Sequence, residues 1–189
     1  MTAATQNITF DQFLAYDDAG DGWYELENGE LIAMPTESEL NRRIAMFLVA
    51  CFLQFGISCD RLSMKTEVAV SGTRVSVRVP DLVVFSEEGA IALEGASRSL
   101  VLLDMPPPLL VVEVVSPGQE KRDYRYKRSE YAARGILEYW IVDPLLQRVT
   151  VLQWVEGLYE EVGFTGNEPI VSPLLGELEL TADRILQGR

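Results

Sequence analysis

The 189-residue sequence predicts an α/β (α+β) protein, a mixed central β-sheet flanked by helices. Two apolar runs carry one acid each: Arg78-Val-Pro-Asp81-Leu-Val-Val-Phe85 and Leu109-Leu-Val-Val-Glu113-Val-Val-Ser-Pro117. Val-rich runs of this length read as strands buried on both faces. A basic, helix-patterned stretch (Lys121–Arg134) follows the second, and a further apolar run, Glu138-Tyr-Trp-Ile-Val-Asp-Pro144, follows that. Helical and strand patterns are interleaved along the whole chain, which suits helices packed on a mixed sheet.

The elements read in order as follows. Thr9 caps a short helix with Gln12 three residues on and Phe10, Phe13 and Leu14 on its apolar side. Trp23–Leu26 and Leu31–Met34 flank Glu27-Asn-Gly-Glu30, a hairpin signal. Thr36-Glu-Ser-Glu39 reads as a capping box opening a helix that runs to Phe55 and stops at Gly56. In that helix Leu40, Ile44, Phe47, Leu48, Cys51, Phe52 and Phe55 recur every three or four residues. Lys65–Val70 and Arg74–Val79 are strand candidates joined by Ser71-Gly-Thr73, and Leu82–Phe85 is another after the Pro80 break. Ser86–Leu103 is a partly helical excursion, and Asp104-Met-Pro-Pro-Pro108 is a stiff connector. After the third central strand, Val149–Trp154 and Leu158–Phe164 form a hairpin around Glu156-Gly157, and Thr181 caps a last short helix. No repeat or linker divides the chain, so residues 1–189 are expected to form one domain with its core at about 22–155.

Composition narrows the chemistry. Hydrophobic residues make up 48% and charged residues 24%, the proportions of a soluble globular protein. No run is long enough to span a bilayer, and Met1–Gln6 has no signal-peptide pattern, so a cytoplasmic protein without membrane association is expected. Cys51 and Cys59 form neither a metal pattern nor a disulfide framework. The absence of histidine removes Ser-His-Asp and Cys-His catalysis and His-ligated zinc. Carboxylates, Lys, Arg, Tyr or an oxygen-liking metal ion remain. The net charge of −13 speaks against nucleic-acid binding over the whole surface. It is unevenly spread: residues 1–41 hold nine acids and no Lys or Arg, whereas six of the 16 basic residues lie between Lys121 and Arg134.

An unpaired charge in an apolar strand costs several kcal/mol or neutralises by shifting its pKa. Asp81 and Glu113 therefore need partners. On neighbouring strands, with a backbone carbonyl beside them, they suit Mg²⁺ or Mn²⁺. The plainer alternative has Asp81 capping the turn after Pro80 and Glu113 paired with an arginine. In the basic segment, Asp123, Lys127, Glu130, Tyr131 and Arg134 share one helical face and Lys121, Arg125 and Arg128 another. A solvated helix with an Asp123–Lys127 pair is the ordinary reading, but its first turns must pass close to Glu113.

Taken together, Tyr24-Glu-Leu-Glu-Asn-Gly-Glu-Leu31, Arg78-Val-Pro-Asp81, Val111-Val-Glu113-Val-Val-Ser-Pro117, Asp123-Tyr-Arg-Tyr-Lys127, Tyr131-Ala-Ala-Arg-Gly135 and Glu138–Pro144 resemble, in order, the Uma-two family. That family is abundant in cyanobacteria and belongs to the PD-(D/E)XK nuclease superfamily; the match covers roughly Phe10 to Thr181. The resemblance implies a restriction-endonuclease-like fold and Mg²⁺- or Mn²⁺-dependent hydrolysis of phosphodiester bonds in nucleic acid, DNA first. It implies that Asp81 and Glu113 are the motif acids, holding the ion with the carbonyl of Val114. Val115 stands where the motif lysine is usual, and Lys127 from the following helix is expected to replace it. Asp123 and Tyr131 would position that lysine, and Arg125, Arg128 and Arg134 would meet phosphates. Glu39 or Glu67 is a further candidate carboxylate. Ser38-Glu-Leu-Asn41 lacks the histidine common in the family's first helix.

Two other readings stand beside this one. A catalytically silent interaction module that keeps the fold accounts for Val115 and the acidity, its −9 N-terminal segment suiting a basic protein partner. Hydrolysis of a phosphorylated small molecule would use the same site. A homodimer is expected, with Trp140, Trp154 and Tyr159 as its face or as core.

Overall fold

The structure, a computed structural model, describes residues 7–16, 22–71 and 74–189; the Met1–Gln6 start and the expected Gly72-Thr73 connection lie outside the described residues. In α1 (Phe10–Leu14), Thr9 Oγ1 accepts the Gln12 N–H and Gln12 Oε1 accepts the Thr9 N–H, a complete capping box. β1 (Tyr24–Glu27) and β2 (Glu30–Ala33) pair across Asn28-Gly29, whose φ values of 53° and 93° are those a tight hairpin turn requires. α2 (Glu39–Gln54) begins later than the capping-box pattern suggests. Its cap is Ser38, whose Oγ accepts the Asn41 N–H at 3.1 Å and donates to Asn41 Oδ1 at 2.8 Å. Thr36 and Glu37 therefore lie ahead of the helix, and Glu37 is left to face the site.

β3 (Leu62–Ser63), β4 (Glu67–Ser71), β5 (Val75–Arg78) and β6 (Leu82–Val84) follow. The excursion contains α3 (Glu87–Ala92) and β7 (Leu100–Val101). β8 (Leu110–Val114) leads into a π-helical stretch (Arg122–Lys127) continuous with α4 (Arg128–Arg134), then β9 (Glu138–Asp143). β10 (Arg148–Val155) and β11 (Leu158–Thr165) form the expected hairpin. A second hairpin, β12 (Pro169–Ser172) and β13 (Gly176–Thr181), precedes α5 (Ala182–Gln187), which Thr181 caps.

The central sheet has six strands in the order β11-β10-β9-β8-β6-β3; β8 and β9 run parallel and the other pairs antiparallel. The sequence pattern did not separate a second sheet, of order β2-β1-β5-β4-β7. The division falls at Val79-Pro80. Proline has no N–H to continue a ladder, so the chain leaves the second sheet after β5 and enters the central one at β6.

Side-chain alternation sorts the core. Leu82, Val84, Leu110, Val112, Val114, Trp140 and Val142 pack with α2 and α5 on one face of the central sheet. Val83, Val111, Val115, Tyr139 and Ile141 pack with Tyr131 and Ala132 of α4 on the other. Asp81 and Glu113 share the α4 face by the same period of two. α4 also ties the two sheets together: Arg134 donates to the carbonyls of Ala69, Leu102 and Met105, and Glu130 receives Arg78 of β5.

Two of the three aromatics expected for a dimer face, Trp140 and Tyr159, are buried, and Trp154 is partly buried against the same core. Trp140 is fully buried edge-on to Phe52, Tyr159 gives its hydroxyl to the Ile136 carbonyl, and Trp154 gives its indole N–H to the Ala132 carbonyl. These rings fill core and satisfy their polar atoms within the chain, leaving the expected homodimer without that face. No helix among the described residues is long and apolar enough to cross a membrane.

Candidate active site

Asp81 and Glu113 meet where β6 and β8 pair. The Asp81 N–H donates to the Val112 carbonyl at 3.1 Å, and Asp81 Oδ2 accepts the Val114 N–H at 2.7 Å. One carboxylate is thereby fixed to the backbone adjoining the other. Glu113 is 4% exposed, and both its oxygens are engaged: Oε1 accepts the Tyr131 hydroxyl at 2.7 Å, and Oε2 lies 2.8 Å from Lys127 Nζ.

Lys127 reaches this point because α4 covers the face that carries Glu113. Residue 115 lies on the same face, and Val115 is buried there among α4 side chains. A lysine from the covering helix thus enters the space that a lysine at 115 would address. Lys127 Nζ also lies 3.1 Å from Asp123 and 3.4 Å from Glu25 Oε1. The six π-wound residues end at Lys127, a winding often found at functional sites.

Two residues given no role from sequence complete the acidic floor and its support. Glu25 of β1 accepts from Arg78 Nη1 at 3.0 Å, Arg122 Nη2 at 2.6 Å and the Val79 N–H at 3.2 Å. Arg78 is wholly buried and holds Glu130 with two bonds of 2.7 and 2.8 Å, plus Glu27 at 2.7 Å. This is the fork geometry that only arginine offers.

A second lysine closes the outer side. Lys65 Nζ lies 2.5 Å from Asp81 Oδ1 and 3.1 Å from Glu37 Oε1. Its backbone sits at φ 58°, uncommon for a residue with a side chain, at the corner between β3 and β4. Asn41 of α2 donates to the Val114 carbonyl at 3.1 Å and to Ser116 Oγ at 3.0 Å. The resulting cleft is lined by Glu25, Glu37, Asn41, Lys65, Asp81, Glu113, Arg122, Asp123 and Lys127, among others.

The charges do not balance evenly. Burial pushes the Glu113 carboxyl up to about 8; Lys127 opposes this, while Asp123, Asp81 and Glu25 add to it. Burial likewise raises Asp123 against the pull of Lys127. Burial would also raise Glu25, but Lys127, Arg78 and Arg122 outweigh it and hold that carboxyl at about 2. For Lys127, burial favours the neutral amine, but Glu113, Glu25 and Asp123 prevail and keep it an ammonium.

The structure thus brings together Asp81, Glu113, Asp123, Lys127 and Tyr131, with the Val114 carbonyl beside them. It does not bring in the three expected phosphate arginines. Arg125 is exposed outside the cleft; Arg128 pairs with Glu161 and the Tyr159 carbonyl; Arg134 is spent on three carbonyls. Arg122 lines the cleft instead. Glu39 pairs with Arg42 at the surface and Glu67 with Arg98, so neither reaches the site. Glu113 takes a lysine and a tyrosine as partners, not the arginine of the plainer alternative. Among the described residues, no three His, Cys, Asp or Glu side chains stand together as a ready metal cluster.

The chain is thus a mixed sheet with paired acids on adjacent strands, covered by a lysine-bearing helix. The chain belongs to the Uma2 family, described as putative restriction endonucleases, whose model matches residues 10–183. A crystal structure described as a putative nuclease from Anabaena variabilis has the same fold: TM-score 0.77 at 20% identity, covering 96% of this chain and 98% of that one. No curated protein matches the chain.

Proposed function

We propose that the protein is a Mg²⁺-dependent endonuclease that hydrolyses phosphodiester bonds of nucleic acid, DNA first, at a PD-(D/E)XK-type site. The observation that carries this is the junction of Asp81, Glu113 and Lys127: one acid bonded to the backbone next to the other, and the lysine 2.8 Å from the second.

The donors fit the ion. They are hard oxygens: the Asp81 and Glu113 carboxylates and the Val114 carbonyl. Each oxygen accepts one protein donor and retains lone-pair capacity. Mg²⁺ is commonly held by only one or two carboxylates, with water and substrate phosphate completing the shell. When bound, the ion would polarise a phosphoryl oxygen and lower the pKa of an attached water.

The chain's own groups do the rest. Lys127 holds Glu113 and Asp123 in place and presents fixed positive charge where the phosphorane-like charge develops. Tyr131 orients Glu113 from its other oxygen. Arg122 lines the cleft as a further cation, held there by Glu25 and Glu27. The test is cleavage of labelled single- and double-stranded DNA and RNA with Mg²⁺, comparing wild type with Asp81→Asn and Glu113→Gln. Cleavage by the wild type that chelator and both substitutions abolish supports the reading; cleavage unaffected by both substitutions refutes it.

One observation favours a second reading, the silent interaction module. The four acid oxygens already have protein donors, so the site is self-satisfied. Recovery of a stoichiometric basic protein partner, with no metal dependence and no cleavage, would favour it.

A further inference from the structure

Lys65 is the feature of the cleft that the proposed reaction leaves without an assigned need. Its ammonium lies 2.5 Å from Asp81 Oδ1 and 3.1 Å from Glu37 Oε1, and its side chain retains 19% exposure at the outer side of the site. Lys127 differs: it is enclosed by Glu113, Asp123 and Glu25, and its side chain is only 7% exposed. The Lys65 backbone is held at φ 58°, a region that side chains seldom occupy and that persists where the surroundings over-determine it, often in clefts and switches.

We infer that Lys65 is the resident counter-ion of Asp81 and competes with the divalent cation for that carboxylate. This rests on the metal reading above. Oδ2 of Asp81 is anchored by the Val114 N–H inside the β6–β8 junction, so Oδ1 is the oxygen facing the cleft. An ammonium and a metal ion seeking the same oxygen repel one another, and the metal form requires Lys65 to move aside. Glu37 is the carboxylate already within its reach. With no cation loaded, Lys65 balances Asp81; with the cation loaded, Lys65 stands displaced toward the cleft mouth. The chain thereby weakens its own metal affinity.

The experiment is a calorimetric Mn²⁺ titration of the wild type, Lys65→Met and Lys65→Gly, with thermal denaturation of each. Glycine suits the positive φ, so at least one neutral variant should fold. Loss of the competitor should tighten the Mn²⁺ Kd at least about fivefold, within the usual range of coupling between two ligands. A Kd unchanged or weaker in folded neutral variants, with binding still present in the wild type, overturns the role of Lys65 and leaves the metal site standing. No binding in the wild type or in the variants refutes the metal reading itself, and this inference with it.

Discussion

Lys127 Nζ and Glu113 Oε2 lie 2.8 Å apart, one on the helix and the other on the strand it covers, both almost wholly buried. Breaking a buried pair from one side typically costs about 3–5 kcal/mol, because the remaining charge loses its partner. Lys127→Met should therefore be strongly destabilising in denaturant unfolding. Adding Glu113→Gln removes the partner left behind, so the double variant should lose less than the two single losses combined, with a coupling of about 1–3 kcal/mol. Additive losses would mean that the two side chains act independently.

Arg78 offers a sharper test of geometry. It holds Glu130 through two nitrogens and Glu25 and Glu27 through a third. An ammonium cannot reproduce that fork, so Arg78→Lys should behave as a disruptive change. We expect a loss of about 3 kcal/mol and a Tm lower by roughly 10 °C in scanning calorimetry. A Tm within a degree or two of wild type would contradict the arrangement.

Glu25 sets an acid limit. Its carboxyl is held at about 2, below the ordinary 4.5, because Lys127, Arg78 and Arg122 outweigh the cost of burial. A lowered folded-state pKa contributes stability that is fully present above about pH 4.5 and is lost as pH falls toward 2. The contribution is on the order of 3 kcal/mol. In acid unfolding, Glu25→Gln should be less stable than wild type at neutral pH and show a shallower loss between pH 4.5 and 2. An identical slope would remove Glu25 from the account.

Much of this site is legible in the sequence, and the limits of that legibility are physical. Asp81 and Glu113 stand out because an acid in an apolar strand requires a partner. Lys127 follows from helical spacing and from the proximity of its helix to Glu113. The family resemblance, carried by motifs from Tyr24 to Pro144, agrees with a family match over residues 10–183. Glu25, Lys65, Arg78, Arg122 and Asn41 gain their places only through contacts between distant segments, which local pattern does not encode. Arg125, Arg128 and Arg134 were grouped by charge, but their directions are set by neighbours such as Glu161 and the Leu102 carbonyl. The cap moved from Thr36 to Ser38 because Asn41 answers Ser38 with two bonds. β12 has only four residues and opens on Pro169, which argues against a strand, and the apolar pair Leu174-Leu175 falls in the turn before β13 rather than in a strand. Glu138, which accepts from Ser172 Oγ and the Leu174 N–H, anchors them from a distant strand.

Val115 tests the explanation for the displaced lysine. Its side chain shares a sheet face with Glu113 and is buried against α4. Val115→Lys alone should destabilise by about 1–3 kcal/mol through overpacking and an added buried charge. Combined with Lys127→Val, the lysine returns to the strand, and cleavage should recover relative to Lys127→Val alone. No recovery in a folded double variant would mean that the helix position supplies more than an ammonium near Glu113.

The central claim is that Asp81 and Glu113 together hold a divalent ion. The most direct measurement is calorimetric Mn²⁺ titration of the wild type beside Glu113→Gln, with folding of both verified by calorimetric melting. The account predicts saturable binding in the wild type and its loss in the variant. Equal binding by the two proteins would contradict it, placing any ion elsewhere than between these strands.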